Sequence, residues 1–390
     1  YTTLFRSPGA PRAPWREVVS SATDMLRRDV KPLVTEVGRR LQFCPAAPMQ
    51  AINSHNSMGI MTTEDALRVL DGSYGDEPQS LDIVVTRQDV LDEAGFRSTG
   101  VLELYEHLFP ANERDSPDDI VRWLLSDDVG ETRCFSVAGQ EMSYRLDSRC
   151  FILRAAGRAI GLGFFTYDHA SELIFCNHVG IGKAWRGRGL ARAFYREMVA
   201  MLDALFPRNV GVVLEAEPFD RDRLAAIIAD LEQTGRRPLA AHEQDQIGRL
   251  LRVSWYDRLD YSVFCDARTM LPLACRSPCL DPSLPASEWA GGEENYWLMR
   301  QARSGASSAE RRASDLWQNA VAAIYVEILA KSLVDDDPNG RRDYWDYATA
   351  LVARTMQQTA TIDVRLARCL GDEDSALLSR WRRLAIDLSI

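Results

Sequence analysis

With 390 residues, of which 46% are hydrophobic and 26% charged, the chain is long enough for two or three packed units around a buried core, and its composition excludes global disorder. Lys and Arg number 46 against 56 Asp and Glu, a formal charge of −10 that disfavours nucleic acid and anionic lipid as partners and favours a cationic one such as an amine. The eight cysteines form no CxxC pair, no apolar run reaches membrane-span length and residues 1–16 lack the plan of a signal peptide, so a cytoplasmic protein with reduced thiols and no membrane partner is the expectation.

Residues 1–14, rich in Pro, Gly and Arg, read as an extended arm. Over 15–43 apolar residues recur at helical spacing, interrupted by Pro32, which predicts two short amphipathic helices, and one more helix is predicted over 63–70 behind Thr62 or Thr63 as cap. A β-branched run at 81–86 predicts a buried strand, followed by helices over 100–108 and 118–125. Residues 150–153 and 159–166 predict two strands, and the four residues between them are short enough for a hairpin turn. A third strand is predicted over 173–181, then a helix over 189–206 and a strand over 210–217.

Beyond a polar insertion at 218–249, a helix over 245–258 and a strand over 261–265 complete the reading of an α/β chain. Past Pro285 strand signals fade, and helices are predicted over 307–333, 344–358 and 373–388. The resulting division is an N-terminal arm and helical extension (1–80), a central α/β domain (81–285) and a C-terminal helical extension (286–390), with the extensions expected to close an acceptor site or to form a homodimer contact.

The chemistry concentrates where the strand ending at Ile181 runs through a short loop into Arg186-Gly187-Arg188-Gly189-Leu190-Ala191 at a helix start. Glycines let a ligand approach the backbone, and the first N–H groups of a helix, with its dipole, favour a diphosphate. Arg186, Arg188 and Arg192 add local positive charge to a chain that is negative overall. The run is neither a Walker loop nor a GxGxxG fingerprint.

It resembles the acetyl-coenzyme A signature of the GNAT superfamily of N-acetyltransferases, Arg/Gln-x-x-Gly-x-Gly/Ala, matched by Arg186, Gly189 and Ala191. The resemblance extends over about half the chain and implies a GNAT-type, mostly antiparallel central sheet flanked by helices. It further implies that the backbone of Val179, Gly180 and Ile181 pairs with the pantetheine arm of acetyl-CoA or another acyl-CoA while 186–192 cradle the pyrophosphate. The segment 252–261 resembles the GNAT helix that carries a Tyr, which places Tyr256 as the general acid for the departing thiolate, although Asp260-Tyr261 stand where the family has Gly-Phe.

An amine nucleophile must lose a proton before it attacks a thioester, so a base is needed. Glu215 and Glu217, on one face of the predicted strand, are the candidates for base or for binding a cationic substrate, with an ion pair to Arg as the competing role. His178 is a further candidate base, and Glu113-Arg114 stand by position near the acceptor groove. Cys176 lacks a Cys-His-Asp spacing, and Cys275 and Cys279 lack a His cluster, so neither an acyl-enzyme nor a metal site is expected. The implied reaction is direct acetyl transfer to a primary amine, small molecule or protein lysine, in a ternary complex. The alternatives are a catalytically silent acyl-CoA-binding module and a GNAT-fold enzyme with other thioester chemistry.

Overall fold

A computed structural model describes residues 81–387 apart from 91, 110–113, 126–129, 138–139, 187–188, 236, 280–284, 291–293, 304–311, 333–341 and 360. The arm and helices read over 1–80 lie outside the described residues, as do Glu113, Gly187 and Arg188. The described chain falls into two compact units that part between Asn209 and Val210.

In the first unit, strand β1 (Leu81–Val85) leads to helices α1 (Glu93–Ser98), α2 (Val101–Leu108) and α3 (Pro117–Leu125). A small hairpin, β2 (Arg133–Val137) and β3 (Gln140–Tyr144), precedes the long strands β4 (Leu146–Ala155), β5 (Arg158–Asp168) and β6 (Leu173–Ile181), after which comes helix α4 (Leu190–Leu205). β1, β4, β5 and β6 pair in that order, every pair antiparallel. The β4–β5 turn has φ +48° at Ala156 and +79° at Gly157, the pair of left-handed residues that a two-residue type I′ hairpin requires.

Helices pack on both faces of this sheet. Ile152, Leu162 and Phe164 share a core with Phe96 of α1, Val101, Leu102, Tyr105 and Leu108 of α2, and Ile120 and Leu124 of α3. On the opposite face α4 closes onto β5 where Gly163 leaves room: a Cβ there would meet Met198 Sδ at 2.4 Å. Phe165 and Tyr195 lie 6.4 Å apart between ring centroids on that face, and Tyr167 stacks on Phe206 at 4.5 Å.

His169, just past β5, is a half-buried titratable group. Burial first, then the charges of Arg145, Arg208 and Arg149, hold its pKa down to about 4, against an ordinary value of 6.5. The folded state thus binds the proton less readily than the unfolded chain, so the stability present above pH 6.5 is lost as pH falls towards 4. Replacing His169 by Gln is expected to flatten that part of the acid limb, read as urea midpoints between these pH values; a slope equal to wild type would refute it.

In the second unit the order is β7 (Gly211–Ala216), α5 (Arg221–Thr234), α6 (Ala241–Asp257), β8 (Tyr261–Asp266), β9 (Ala274–Ser277), α7 (Ala286–Trp289), β10 (Glu294–Ala302), α8 (Ala313–Ser332), α9 (Arg342–Thr359), β11 (Val364–Arg368) and α10 (Asp372–Asp387). β10 pairs antiparallel with β7, β8 and β9, and β11 pairs antiparallel with β8. The chain past Pro285 therefore supplies three long helices, as the sequence predicts, and also two strands that it does not. The polar stretch after β7 is largely helical: Asp220 caps α5 by accepting the Arg223 N–H at 3.0 Å, and Leu224, Ile227, Ile228 and Leu231 form its buried stripe. Ion pairs of Arg221 with Asp374 (2.8 Å) and of Arg380 with Glu232 (2.6 Å) join α5 to α10.

Candidate functional site

β6 is buried at Val179 and Ile181 and half-open at Gly180, where a Cβ would collide with Leu108 Cδ1 at 2.8 Å. Its absence lets the end of α2 lie directly against the strand. The chain leaves β6 through Gly182, whose N–H bonds to the Ile160 carbonyl at 2.8 Å, and a 3-10 turn at Lys183–Trp185. Arg186 folds back, its Nε donating to the Ile181 carbonyl at 3.0 Å, so this guanidinium ties the turn to the strand end.

Gly189 is the N-cap of α4, with φ +79° and no side-chain cap. An added Cβ there would meet no atom of the described residues within 4 Å beyond its chain neighbours, and the conformation is one that side chains resist. Behind it Leu190 is buried, Ala191 half-buried and Arg192 exposed, and the Gly189 carbonyl accepts from the N–H groups of Arg192 (3.1 Å) and Ala193 (3.2 Å). The N–H groups of Leu190 and Ala191 precede that ladder, where an anion is favoured by helix geometry and dipole alike. These features, a left-handed glycine, a helix start and a flanking exposed Arg, suit an anion such as a diphosphate.

A β-bulge interrupts β6. Phe164 faces His178 and Phe165 faces Cys176, so Asn177 is the extra residue of the bulge. Cys176 consequently lies on the α4 face with Phe165, whereas His178, only two residues on, lies on the α2 face with Phe164. There Tyr105 Oη is 3.2 Å from His178 Nε2, the Asp115 carboxylate is 3.9 Å from the same nitrogen, and the Asp115 N–H donates to Tyr105 Oη at 3.1 Å. Rings of Phe109 and Tyr105 stand edge-on to the imidazole at 4.7 and 5.1 Å. Tyr105 and Asp115 were not legible as site residues, because only the fold brings them to His178. Burial pushes the Cys176 thiol up, away from any role as a thiolate nucleophile.

The remaining candidates belong to the second unit. Glu215 is on β7 opposite Leu298 of β10, and its charge, after burial, helps to push up the Cys275 thiol. Glu217 follows the strand end and is buried in an ion pair with Arg252 Nη1, with Arg249 Nη2 at 3.6 Å. Tyr256 on α6 is 3% exposed, its ring against Trp255 (5.2 Å) and Tyr261 (5.5 Å). Among the described residues no group of three or more His, Cys, Asp or Glu could hold a metal, and no helix is long and apolar enough to cross a membrane.

The first unit is thus an antiparallel sheet flanked by helices, with a strand delivering the chain to a helix that starts at a glycine. No protein-family model and no curated protein matches the chain. Among solved structures it is similar to a putative GNAT-family acetyltransferase from Bacteroides thetaiotaomicron (15% identity, 59% of this chain and 90% of that one, TM-score 0.30). It is also similar to Arabidopsis thaliana NAA60 in complex with acetyl-CoA (12% identity, 57% of this chain and 100% of that one, TM-score 0.29). A third is a tandem GNAT protein from the clavulanic acid biosynthesis pathway (15% identity, 39% of this chain, TM-score 0.26), of which the match spans 43%.

Proposed function

We propose that the chain is an acyl-CoA-dependent N-acyltransferase that moves acetyl from acetyl-CoA to a primary amine, a small molecule or a protein lysine, by direct attack. The observation that carries this reading is the open left-handed Gly189 at the uncapped start of α4, reached from β6 within four residues of the folded-back Arg186. That corner offers the Leu190 and Ala191 N–H groups to an anion. The residues in named roles are Val179, Gly180 and Ile181 for the pantetheine arm, and Arg186, Gly187, Arg188, Gly189, Leu190, Ala191 and Arg192 for the pyrophosphate. Backbone N–H groups of β6 polarise the thioester carbonyl, as preorganised dipoles do in acyl transfer.

Tyr256 is proposed to return a proton to the coenzyme A sulfur, and Glu215 to bind the cationic amine. For Glu217 the ion pairs with Arg252 and Arg249 favour a structural role over that of a base. The deciding experiment is calorimetric titration with acetyl-CoA, followed by thiol release against a panel of primary amines. Binding with amine-dependent release supports the transferase, binding without release favours the silent module, and no binding refutes both. In an active preparation Tyr256→Phe is expected to slow kcat at least tenfold with acetyl-CoA affinity unchanged, and an undiminished kcat would remove Tyr256 as the acid.

A further inference from the structure

We propose that His178 is the base that takes the proton from the acceptor amine, with Tyr105 and Asp115 as its positioning residues; this rests on the transferase reading above. Both polar contacts of the imidazole fall on one nitrogen: Nε2 has Tyr105 Oη at 3.2 Å and the Asp115 carboxylate at 3.9 Å. A carboxylate beside Nε2 favours the proton on that nitrogen, which leaves Nδ1 with its lone pair, and Nδ1 meets no hydrogen-bonding partner among the described residues. The same logic, an acid fixing one nitrogen so that the other accepts a proton, operates in hydrolytic triads.

The rest of the surroundings serve this role. Tyr105 Oη is itself fixed by the Asp115 N–H at 3.1 Å, which joins the phenol, the carboxylate segment and the imidazole in one hydrogen-bonded unit. Phe109 and Phe164, at 4.7 and 6.0 Å, wall the ring edge-on and limit its rotation, while the side chain keeps 17% of its surface open. The charged and titratable groups facing it from α2 and the segment after it are Tyr105 and Asp115. His178 immediately precedes the backbone assigned to the pantetheine arm, and the Asn177 bulge turns it to the α2 face.

In the step itself the amine nitrogen forms a bond to the thioester carbonyl carbon and its proton passes to His178 Nδ1. The carbon–sulfur bond breaks with its electron pair going to sulfur, coenzyme A takes up one proton and leaves as the thiol, and the imidazolium returns its proton to solvent. Neither oxidant nor metal is required by this balance.

His178→Gln, compared with wild type, is expected to lower kcat by about 100-fold or more, the scale of a lost general base, while the calorimetric Kd for acetyl-CoA stays within twofold. Asp115→Asn is expected to lower kcat about tenfold with the KM for acetyl-CoA unchanged. A readout that needs no turnover is the ¹⁵N spectrum of the His178 ring at neutral pH: the Nε2–H tautomer is expected in wild type, with the Nδ1–H form gaining in Asp115→Asn. Wild-type turnover matched by His178→Gln, or an Nδ1–H tautomer in wild type, overturns the base role while leaving the transferase standing. A wild type that binds acetyl-CoA and releases no thiol with any amine overturns the transferase reading, and the base role with it.

Discussion

Gly189→Asn and Gly189→Val are both expected to lose acetyl-CoA affinity by tenfold or more, with very different effects on stability. A branched side chain at φ +79° carries the left-handed penalty, roughly 1–2 kcal/mol, whereas Asn visits that region at lower cost. Both fill the space that is open beside the glycine, so both obstruct a diphosphate drawn to the Leu190 and Ala191 N–H groups. A tenfold loss corresponds to about 1.4 kcal/mol of binding. Calorimetry with acetyl-CoA and a thermal melt separate the two effects: the Asn variant should melt close to wild type yet bind poorly. An Asn variant that binds as tightly as wild type would place the pyrophosphate elsewhere.

The largest stability effect is expected at Gly211, the first residue of β7. Its φ is +139°, and an added Cβ would stand 2.3 Å from the Gln301 carbonyl oxygen of β10, a backbone atom fixed in the β7–β10 ladder. Neither β7 nor β10 can yield without breaking that register, so Gly211→Ala combines backbone strain with overpacking, about 3 kcal/mol together. For a unit of this size that is a fall in Tm of roughly 6–12 °C. Gly157, in the β4–β5 turn with φ +79° and no atom of the described residues within 4 Å of a would-be Cβ, is the control: Gly157→Ala should cost about 1 kcal/mol. Equal effects at the two positions would refute the steric argument.

Much of the first unit could be read from the sequence because its elements carry their own boundaries. The strand predicted over 173–181 is β6 to the residue, and the helix predicted over 189–206 is α4 with its two caps, Gly189 and Phe206. The hairpin was legible from the short Ala155–Arg158 link. Later elements were not, for physical reasons. β10 (Glu294–Ala302) has Glu, Asn, Arg and Gln towards its ends and two adjacent buried residues, Leu298 and Met299, so it lacks the alternation of a half-buried strand. β11 (Val364–Arg368) is a five-residue strand with two Arg that, among the described residues, pairs with β8 alone. For α5 the stripe Leu224, Ile227, Ile228, Leu231 was present at helical spacing but hidden among charged residues.

The candidate site divides in the same way. The turn at 186–192 is a local motif, legible because glycine, arginine and helix start are neighbours in sequence. The grouping of Tyr105 and Asp115 at His178 joins residues 63 to 73 positions apart, and only the packing of α2 against β6 creates it. Burial decided the rest: the Glu217 carboxylate found Arg249 and Arg252 on α6, a pairing that strand periodicity does not report.

The extra residue in β6 has a consequence for how this chain could vary. Counted in twos from Cys176, the residues from His178 to Ile181 would fall on the wrong sides, and Asn177 takes up the odd count. Loops absorb length changes, and so can this bulge: without Asn177 the strand would alternate regularly, with Cys176 still opposite Phe165 on the α4 face and His178 still opposite Phe164 on the α2 face. Descendants of this sequence could therefore lose position 177 and straighten the strand without exchanging its two sides.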